Sequence, residues 1–460
     1  MNSIIDRQGA LALGLADIRA QFAVPATFPA DVLAEAQAVT TRSPSGRVDW
    51  TGRDFVTLDP LSSTDLDQAF AIERAGADLL LLYGIADVAF FACGGDPIDR
   101  EAWVRGTTIY LPDGKASLYP PLLSEGAASL LPDGDRPAVV FAVRVNSQGH
   151  SSLDGAIRAV IRSRAKLGYE NVAPEQLPEG FAELSRRIEQ AEDARGAERV
   201  DAPEQELTED SAGRFTLAFR LQTEAEKQNA SLSLAANLAI ADALLAHRTG
   251  LFRVMAEPDE RAIRRLRHSA KALGLVWPKD ATLAQFERTL DGDRRHTAFR
   301  AAIRRAGPRA TYAPYRDGVV PWHSAMAATY AHATAPLRRL ADRYVIEAAL
   351  KIANGQPVPA ALGAIFEQLP PVMDRADARA AEVERATLDL AEAIMLEGRA
   401  GERFEAVVTD LDERGARIQL ADPAVIARVD GKGAMPGDTI EVTLTAVDVA
   451  QRRSTFERVG

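Results

Sequence analysis

The stretch VTLDPLSSTDLDQAF, residues 56–70, decides how this sequence is interpreted, because it crowds acidic residues together with no lysine or arginine among them. The acids are Asp59, Asp65 and Asp67. Carboxylates this close raise one another's pKa values unless a cation lies nearby. Mg²⁺ takes oxygen ligands and shares its coordination sphere with substrate phosphates, which suits a Ser/Thr-rich loop between two strands. Taken alone, the motif is also typical of an acidic, solvent-exposed turn.

Length and composition limit the class of protein. A chain of 460 residues predicts two or three domains, and 47% hydrophobic and 26% charged residues are ordinary globular values. The single cysteine, Cys93, excludes an intramolecular disulfide framework. The N-terminus lacks the basic and apolar blocks of a secretory signal, and no apolar run is long enough for a bilayer. We therefore expect a cytoplasmic protein without membrane contact.

The pattern of elements predicts an α+β multidomain protein. Residues 1–45 are expected to be helical, either as a reduced helix-turn-helix or as a structural cap. Residues 46–400 are expected to form a mixed α/β domain, with strands first, then helical periodicity from about 180 to 310 and from 337 to 400. Short strands with regular turn signals over 401–460 predict an OB-type β-barrel.

Charge is unevenly distributed along this acidic chain, whose net charge is −11. The segments IRAVIRSRAK (157–166) and FRAAIRRAGPR (299–309) contain basic residues and no acid. They predict either solvated helix faces or local patches that attract a polyanion. The whole-chain charge argues against a protein that simply coats nucleic acid.

A second motif, YAHATAPLRRLADRYV (330–345), is typical of a phosphate site. Its proline, Pro336, is expected in the first turn of a helix, followed directly by Arg338 and Arg339. A helix N-terminus and an arginine fork both bind phosphate. The alternative is a surface ion pair between Arg338 and Asp342.

These motifs, TLDPLSSTDLDQ and APLRR, resemble the signature segments of the ribonuclease II / ribonuclease R family of hydrolytic exoribonucleases. Between them YGIADVAFF, RGTTIYLPDGKASLYPPLLSEGAASLLPDGDRP and SRAKLGYENV resemble further family segments in the same order, the last expected as a helix. The resemblance implies an RNB-type catalytic domain. It also implies that the C-terminal barrel is an S1-type OB fold.

The resemblance implies roles for particular residues. Metal-binding aspartates fall on Asp59, Asp65 and Asp67, with Gln68 beside them, and the phosphate-gripping arginine falls on Arg338; we expect these aspartates and Arg338 to be catalytic. RNA contacts are expected at Tyr110, Tyr169 and Glu384, and from the basic segments at Arg158, Arg162 and Arg304. The implied reaction is Mg²⁺-dependent, with one or two ions, and degrades single-stranded RNA from its 3′ end to 5′-nucleoside monophosphates. We expect a monomer with no nucleotide cofactor.

The sequence departs from the family pattern in several places. Gln68 replaces a further aspartate, although an amide oxygen can still coordinate a metal or orient a water. Val200 stands where an aromatic is usual, and a glutamate pair expected near Ala230 and Ser231 is missing. Too few residues precede the catalytic domain for two cold-shock barrels. Two alternatives therefore stay open, a catalytically weak or inactive RNA-binding protein of the same fold and a magnesium phosphohydrolase of small nucleotides.

Overall fold

The computed structural model of the protein describes residues 9–132, 134–197, 204–209, 215–290, 294–412, 415–420 and 422–459. The α-helices in these residues are α1 (Ala10–Gln21), α2 (Ala30–Val39), α3 (Pro97–Arg105), α4 (Phe181–Arg195), α5 (Glu224–Ala246), α6 (Glu260–Ala272), α7 (Leu283–Glu287), α8 (Arg294–Ala306), α9 (Leu340–Ala353) and α10 (Ala360–Leu396).

The strands begin early in the chain and return at its end. They are β1 (Val48–Asp49), β2 (Phe55–Asp59), β3 (Gln68–Ala75), β4 (Asp78–Ala86), β5 (Ile109–Leu111), β6 (Gly114–Ala116), β7 (Arg136–Val145), β8 (Ser151–Ile161), β9 (Ser163–Gly168), β10 (Glu204–Glu209), β11 (Phe215–Arg220), β12 (Leu251–Val254), β13 (Thr311–Pro314), β14 (Trp322–His323), β15 (Ala328–Thr329), β16 (Arg403–Asp412), β17 (Gly415–Leu420), β18 (Ile426–Val429), β19 (Thr439–Asp448) and β20 (Arg453–Arg458).

A seven-stranded mixed sheet organises the central domain, in the order β1-β8-β7-β4-β3-β2-β9. The apolar run of β4 lies at its centre between β3 and β7, and Tyr83 and Phe141 face each other in this register and are fully buried. Helices α5 and α9 pack against the sheet. Burial on both faces explains why β4 is a continuous apolar run rather than an alternating one.

Two sequence-based expectations for the middle of the chain are wrong. Residues 163–168 form β9 and not a helix, because they pair in parallel with the buried strand β2 over Phe55–Asp59. The basic segment 157–166 likewise lies on β8 and β9 and presents no helix face. The region from 180 to 310 is mainly helical, as expected, but the antiparallel hairpin of β10 and β11 interrupts it. Tertiary pairing overrides local helix propensity in these segments.

The two ends of the chain follow the sequence more closely. Helices α1 and α2 form as expected from residue 10 onward, and α1 packs on α10, where Gly14 admits the Leu390 side chain. The C-terminal strands form a five-stranded antiparallel sheet in the order β18-β17-β16-β19-β20, the OB-type arrangement that was predicted. Among the described residues, α5 alone is long and apolar enough to cross a membrane, and 56% of its most apolar window is buried in the protein, as in a core helix.

Candidate active site

The acidic loop lies at one end of the central sheet. Strand β2 ends at Asp59 and the antiparallel strand β3 begins at Gln68, so the intervening loop, residues 60–67, folds back over the strand ends. Lys166 on β9 holds this loop in place. Its Nζ donates to the carbonyl oxygen of Leu61 at 2.7 Å and also to that of Ser63. The predicted Ser/Thr-rich loop between two strands is confirmed.

Asp67 is the most deeply buried acid of the motif. Its Oδ1 accepts a hydrogen bond from the backbone N–H of Leu337 at 2.7 Å, and its Oδ2 lies 3.5 Å from the Nε of Arg338. Burial raises the pKa of Asp67 to about 8, although Arg338 and the Leu337 N–H act in the opposite direction. The carboxyl therefore has too little positive charge around it to stay ionised at neutral pH without a cation.

Asp59 shows the same imbalance in a weaker form. Desolvation raises its pKa to about 6, Asp65 adds to the shift, and Arg338 and Lys166 oppose it. Asp59 and Arg338 line a common cleft, with a volume of about 780 Å³. The two desolvated carboxyls, Asp59 and Asp67, therefore both lie within electrostatic reach of the same guanidinium.

The arginine segment differs from its prediction. Pro336 does not begin a helix: residues 336–338 form an isolated turn in which the N–H groups of Arg338 and Arg339 bond to the carbonyl of Ala335. Arg339 is then extended (φ −133°, ψ 122°), and α9 begins only at Leu340. The N–H of Leu337 in this turn binds the carboxylate of Asp67, so it is not free for phosphate.

The two adjacent arginines have opposite environments. Arg339 is directed inward and forms two hydrogen bonds with the fully buried Asp342, Nε to Oδ1 at 2.9 Å and Nη2 to Oδ2 at 2.7 Å. The ion pair considered for Arg338 and Asp342 is therefore wrong, because Arg339 occupies that carboxylate. Arg338 keeps 45% of its side chain exposed at the cleft. Arg339 also lines the cleft, but its guanidinium is paired with Asp342, so Arg338 is the one of these two that presents the more exposed guanidinium to a ligand.

Gln68 is held entirely by the protein. Its Nε2 donates to the carbonyl of Thr334 at 2.7 Å, and its Oε1 accepts hydrogen bonds from the hydroxyls of Tyr83 and Ser233, the latter at 3.0 Å. The oxygen that would coordinate a metal already has two donors here, and metal binding by Gln68 stays a prediction. The amide ties β3 to α5 and to the Arg338 segment.

Asp65 belongs to a different set of contacts. The hydroxyl of Tyr110 donates to its Oδ2 at 3.0 Å, and Nζ of Lys115 lies 2.8 Å from its Oδ1. Tyr110 and Lys115 are paired across the hairpin of β5 and β6. Sequence reasoning missed Lys115, and the available signal was its place just after a PDG turn that follows a candidate base-stacking tyrosine. Tyr110 leaves 52% of its surface exposed.

The cleft gathers some of the predicted RNA contacts and not others. Tyr169 lines it, with its hydroxyl accepting a hydrogen bond from Nδ2 of Asn229 at 2.7 Å. His332 lines it too, and desolvation lowers the pKa of this imidazole well below its usual value, so it is neutral. Ala230 and Ser231, where a glutamate pair was looked for, form part of the α5 wall.

Arg158 and Arg162 both pair with acidic side chains, and their role as RNA contacts stays a prediction. Arg158 binds Asp87 at 3.0 Å and also pairs with Glu347, and Arg162 binds Asp135 at 2.7 Å. Arg158 lies on β8, and Arg162 lies between β8 and β9, whose first residue, Ser163, pairs with Phe55 at the start of β2. Neither arginine lines the cleft of Asp59.

The remaining assignments fall outside the cleft or outside the described residues. Glu384 lies on α10 and lines two other cavities, one beside the barrel and one beside Arg253, rather than the cleft of Asp59. Arg304 lies on α8, as its helical pattern predicted, and its side chain is not described. Val200 lies outside the described residues.

Two of the motif side chains fit a divalent cation. Asp59 and Asp67 are desolvated carboxyls with raised pKa values, and Mg²⁺ is commonly held by one or two carboxylates together with waters and phosphates. Across the described ranges, no three side chains of His, Cys, Asp or Glu converge as a metal site. Asp65 and Gln68 are already engaged by protein donors. Asp67 also has a protein donor in the N–H of Leu337, and the full set of Asp59, Asp65, Asp67 and Gln68 stays a prediction.

Comparison with known proteins places the chain in a family. The RNB domain matches residues 47–352, and the RNase II-type exonuclease C-terminal S1 domain matches residues 402–459. The chain belongs to the RNB-domain family, and it carries a C-terminal S1 domain. The predicted family, fold class and S1-type barrel are thereby confirmed.

The relatives it matches are ribonucleases R. Ribonuclease R of Aquifex aeolicus (strain VF5) is 26% identical over 493 residues, which cover 95% of this chain and 69% of the relative. Ribonuclease R 1 of Lactococcus lactis is 25% identical over 448 residues, covering 90% of this chain and 54% of the relative. The chain thus spans from about half to about two thirds of the length of these relatives.

Solved structures share the fold at low identity. Mycoplasma genitalium RNase R in complex with ribose methylated single-stranded RNA matches with a TM-score of 0.85 and 20% identity, over 98% of this chain and 78% of that one. Yeast Ssd1, a pseudonuclease, matches with a TM-score of 0.64 and 15% identity, over 92% and 54% of the two chains. Because both a ribonuclease and a pseudonuclease have this fold, the fold alone does not decide whether the site cleaves RNA.

Proposed function

We propose that this protein is a Mg²⁺-dependent hydrolytic exoribonuclease that removes 5′-nucleoside monophosphates from the 3′ end of single-stranded RNA. One observation carries the proposal: the exposed guanidinium of Arg338 stands 3.5 Å from the buried carboxyl of Asp67 at the wall of the cleft. An arginine beside carboxylates able to hold a divalent ion is an arrangement suited to phosphodiester hydrolysis. Membership of the RNB family supports RNA as the substrate.

Asp59 and Asp67 would hold the cation. When bound, it lowers the pKa of a coordinated water and neutralises charge on the phosphate. Arg338 donates to the non-bridging oxygens of the last phosphodiester, where charge grows in the transition state. Water attacks the phosphorus, and its proton passes to a carboxylate oxygen of Asp67. The bond to the 3′ oxygen of the preceding nucleotide breaks, and that oxygen takes up a proton from solvent and becomes the new 3′ hydroxyl. The terminal nucleotide then leaves as a 5′-monophosphate.

Tyr110 and Tyr169 would hold the terminal bases. Aromatic rings stack on bases of any sequence, for about 1–3 kcal/mol each. The half-exposed ring of Tyr110 and the cleft-lining ring of Tyr169 suit this role. We assign residues 46–400 to catalysis, 401–460 to the S1-type barrel and 1–45 to a helical cap, in a cytoplasmic protein that works as a monomer without a nucleotide cofactor.

The test is digestion of 5′-labelled poly(A) with Mg²⁺, alongside an EDTA control. A ladder that shortens from the 3′ end is expected with Mg²⁺ and not with EDTA, and 5′-AMP should be the released product. Cleavage from the 5′ end, or undiminished cleavage in EDTA, would contradict the proposal.

A second candidate is a non-catalytic RNA-binding protein of the same fold. The observation that favours it is the saturated amide of Gln68, which removes one oxygen ligand from the motif. The same assay separates the two candidates. Retarded but uncut RNA in the presence of Mg²⁺ would establish the binding protein.

A further inference from the structure

Lys115, on β6, places a positive charge against the acidic loop. Its Nζ lies 2.8 Å from Oδ1 of Asp65 and 3.3 Å from Oε1 of Glu125, and only 18% of its side chain is exposed. The hydroxyl of Thr64 donates to Glu125 at 2.9 Å and completes the set. Two carboxylates thus surround the ammonium of Lys115. Lys115 lies on β6, and the other strand of this hairpin, β5, carries Tyr110.

These contacts divide the acidic motif into two parts. Asp65 has both oxygens engaged, one by Lys115 and the other by the hydroxyl of Tyr110. The ammonium of Lys115 lies beside Asp65, whereas the electrostatic partner of both Asp59 and Asp67 is Arg338. A compact ammonium is a strong point charge. It occupies Asp65 and repels any second cation that approaches the same carboxylate.

We propose that Lys115 takes the place of a second metal ion: it neutralises Asp65, limits the site to one divalent cation on Asp59 and Asp67, and weakens the binding of that cation. This inference rests on the proposed function, since it assigns the metal content of the same site. A neutral Gln68, bound to Tyr83 and Ser233, acts in the same direction because it adds no negative charge for a second ion.

The test measures Mn²⁺ binding to the full chain without RNA, by electron paramagnetic resonance of free Mn²⁺ and by calorimetry. The wild type should bind one Mn²⁺ per chain. Lys115→Met removes the charge but keeps most of the side-chain volume, and it should bind Mn²⁺ about tenfold more tightly, because a repelling charge is lost. Lys115→Arg should bind Mn²⁺ like the wild type. Lys351→Met, which removes a partly exposed lysine that donates to Gln356 and does not line the cleft, should change the affinity less than about twofold.

The direction of the change separates this role from a structural one. If Lys115 only anchors the hairpin, Lys115→Met loosens the loop and weakens Mn²⁺ binding. Weaker or unchanged binding in Lys115→Met, or two ions in the wild type, would overturn the inference and leave the proposed function standing. The absence of Mn²⁺ binding in every variant would overturn both. Thermal unfolding followed by circular dichroism verifies that each variant is folded.

Discussion

In the catalytic domain, Tyr110 beside Asp65 leaves about half of its surface exposed, whereas the two phenylalanines of the barrel, Phe404 and Phe456, are buried against each other at 6.0 Å between ring centroids. The carboxyls differ as well, since Asp67 is buried beside an exposed arginine. The cleft therefore offers groups that a nucleotide can reach, and the barrel uses its rings for its own core. Under the proposed function, base stacking and chemistry would therefore both belong to the catalytic domain.

The largest expected effect on the catalytic domain comes from Asp67→Asn. We expect turnover of poly(A) to fall on the order of 10³-fold, because a ligand and proton acceptor worth several kcal/mol of transition-state stabilisation is lost. RNA affinity should stay within about threefold, because many other contacts remain. Single-turnover kinetics and filter binding measure the two quantities. Asp135→Asn, which alters an exposed carboxyl paired with Arg162, is the control; equal turnover in both variants would contradict the role of Asp67.

The substitution that tests the barrel is Phe404→Ala. Removal of this buried ring should destabilise the protein by about 3–4 kcal/mol, through lost burial and a cavity beside Phe456. Urea unfolding followed by fluorescence and circular dichroism measures the loss. RNA affinity of the folded protein should change less than about twofold, because the ring faces the core. A large loss of affinity without a loss of stability would show that the barrel ring contacts RNA.

Arg338→Ala tests the exposed arginine. We expect turnover to fall about 100-fold, since one donor to developing charge is lost, and affinity to fall only a few-fold, since one phosphate contact among many is removed. The matched control is Arg316→Ala, an exposed arginine paired with Glu367 away from the cleft, which should leave both quantities unchanged. If affinity fell while turnover of bound RNA did not, Arg338 would be only a binding residue.

Glu392, on α10 beneath the barrel, predicts a pH effect on stability. Burial raises its pKa to about 7, with opposing hydrogen bonds from the N–H of Ile426 and from Gln205. The folded state therefore holds a proton that the unfolded state has released between about pH 4.5 and 7, so this contribution to stability is lost as pH rises through that window. Between pH 5 and 8 the wild type should lose about 2 kcal/mol more stability than Glu392→Gln, measured by urea unfolding at both pH values. Identical losses would disprove the assignment.

Tyr110→Ala gives the smallest expected effect. RNA affinity should fall by about 1–2 kcal/mol, the contribution of one stacked base, with little change in stability for a ring that is half exposed. Tyr110→Phe keeps the ring, loses the hydrogen bond to Asp65 and should bind RNA like the wild type. Fluorescence anisotropy with a labelled oligonucleotide measures both. A loss of affinity in Tyr110→Phe equal to that in Tyr110→Ala would mean that the hydroxyl and not the ring contacts RNA.

Sequence patterns predicted those parts of the fold that local physics determines. The apolar run of β4, the N-terminal helices and the alternating strands of the barrel all formed as expected, because their burial follows from their own composition. The strand β9, in the segment SRAKLGYENV, could not be assigned from its residues, because it exists only through pairing with β2. Long-range backbone pairing is not written in a local pattern.

The site was predictable in its residue types and not in its contacts. Asp59, Asp67 and Arg338 could be selected from two motifs, but the turn at Pro336 is set by distant partners, Asp67 on one side and Thr108 on the other. The contact of Lys115 with Asp65 and the partners of Gln68 could not be predicted either, because these residues come together only in the folded chain. Contacts between segments that are distant in sequence, 45 residues apart for Tyr110 and Asp65 and 270 for Leu337 and Asp67, determine the surroundings of each acid.

The carbonyl of Arg338 accepts hydrogen bonds from the N–H of Thr108 at 3.0 Å and the hydroxyl of Thr107 at 2.8 Å, only a few residues before Tyr110. A backbone hydrogen bond and a threonine hydroxyl thus join the turn of Arg338 to the segment that leads into the hairpin of Tyr110. In the proposed mechanism, this link would keep the arginine that contacts the scissile phosphate in a constant position relative to the ring that stacks on the terminal base.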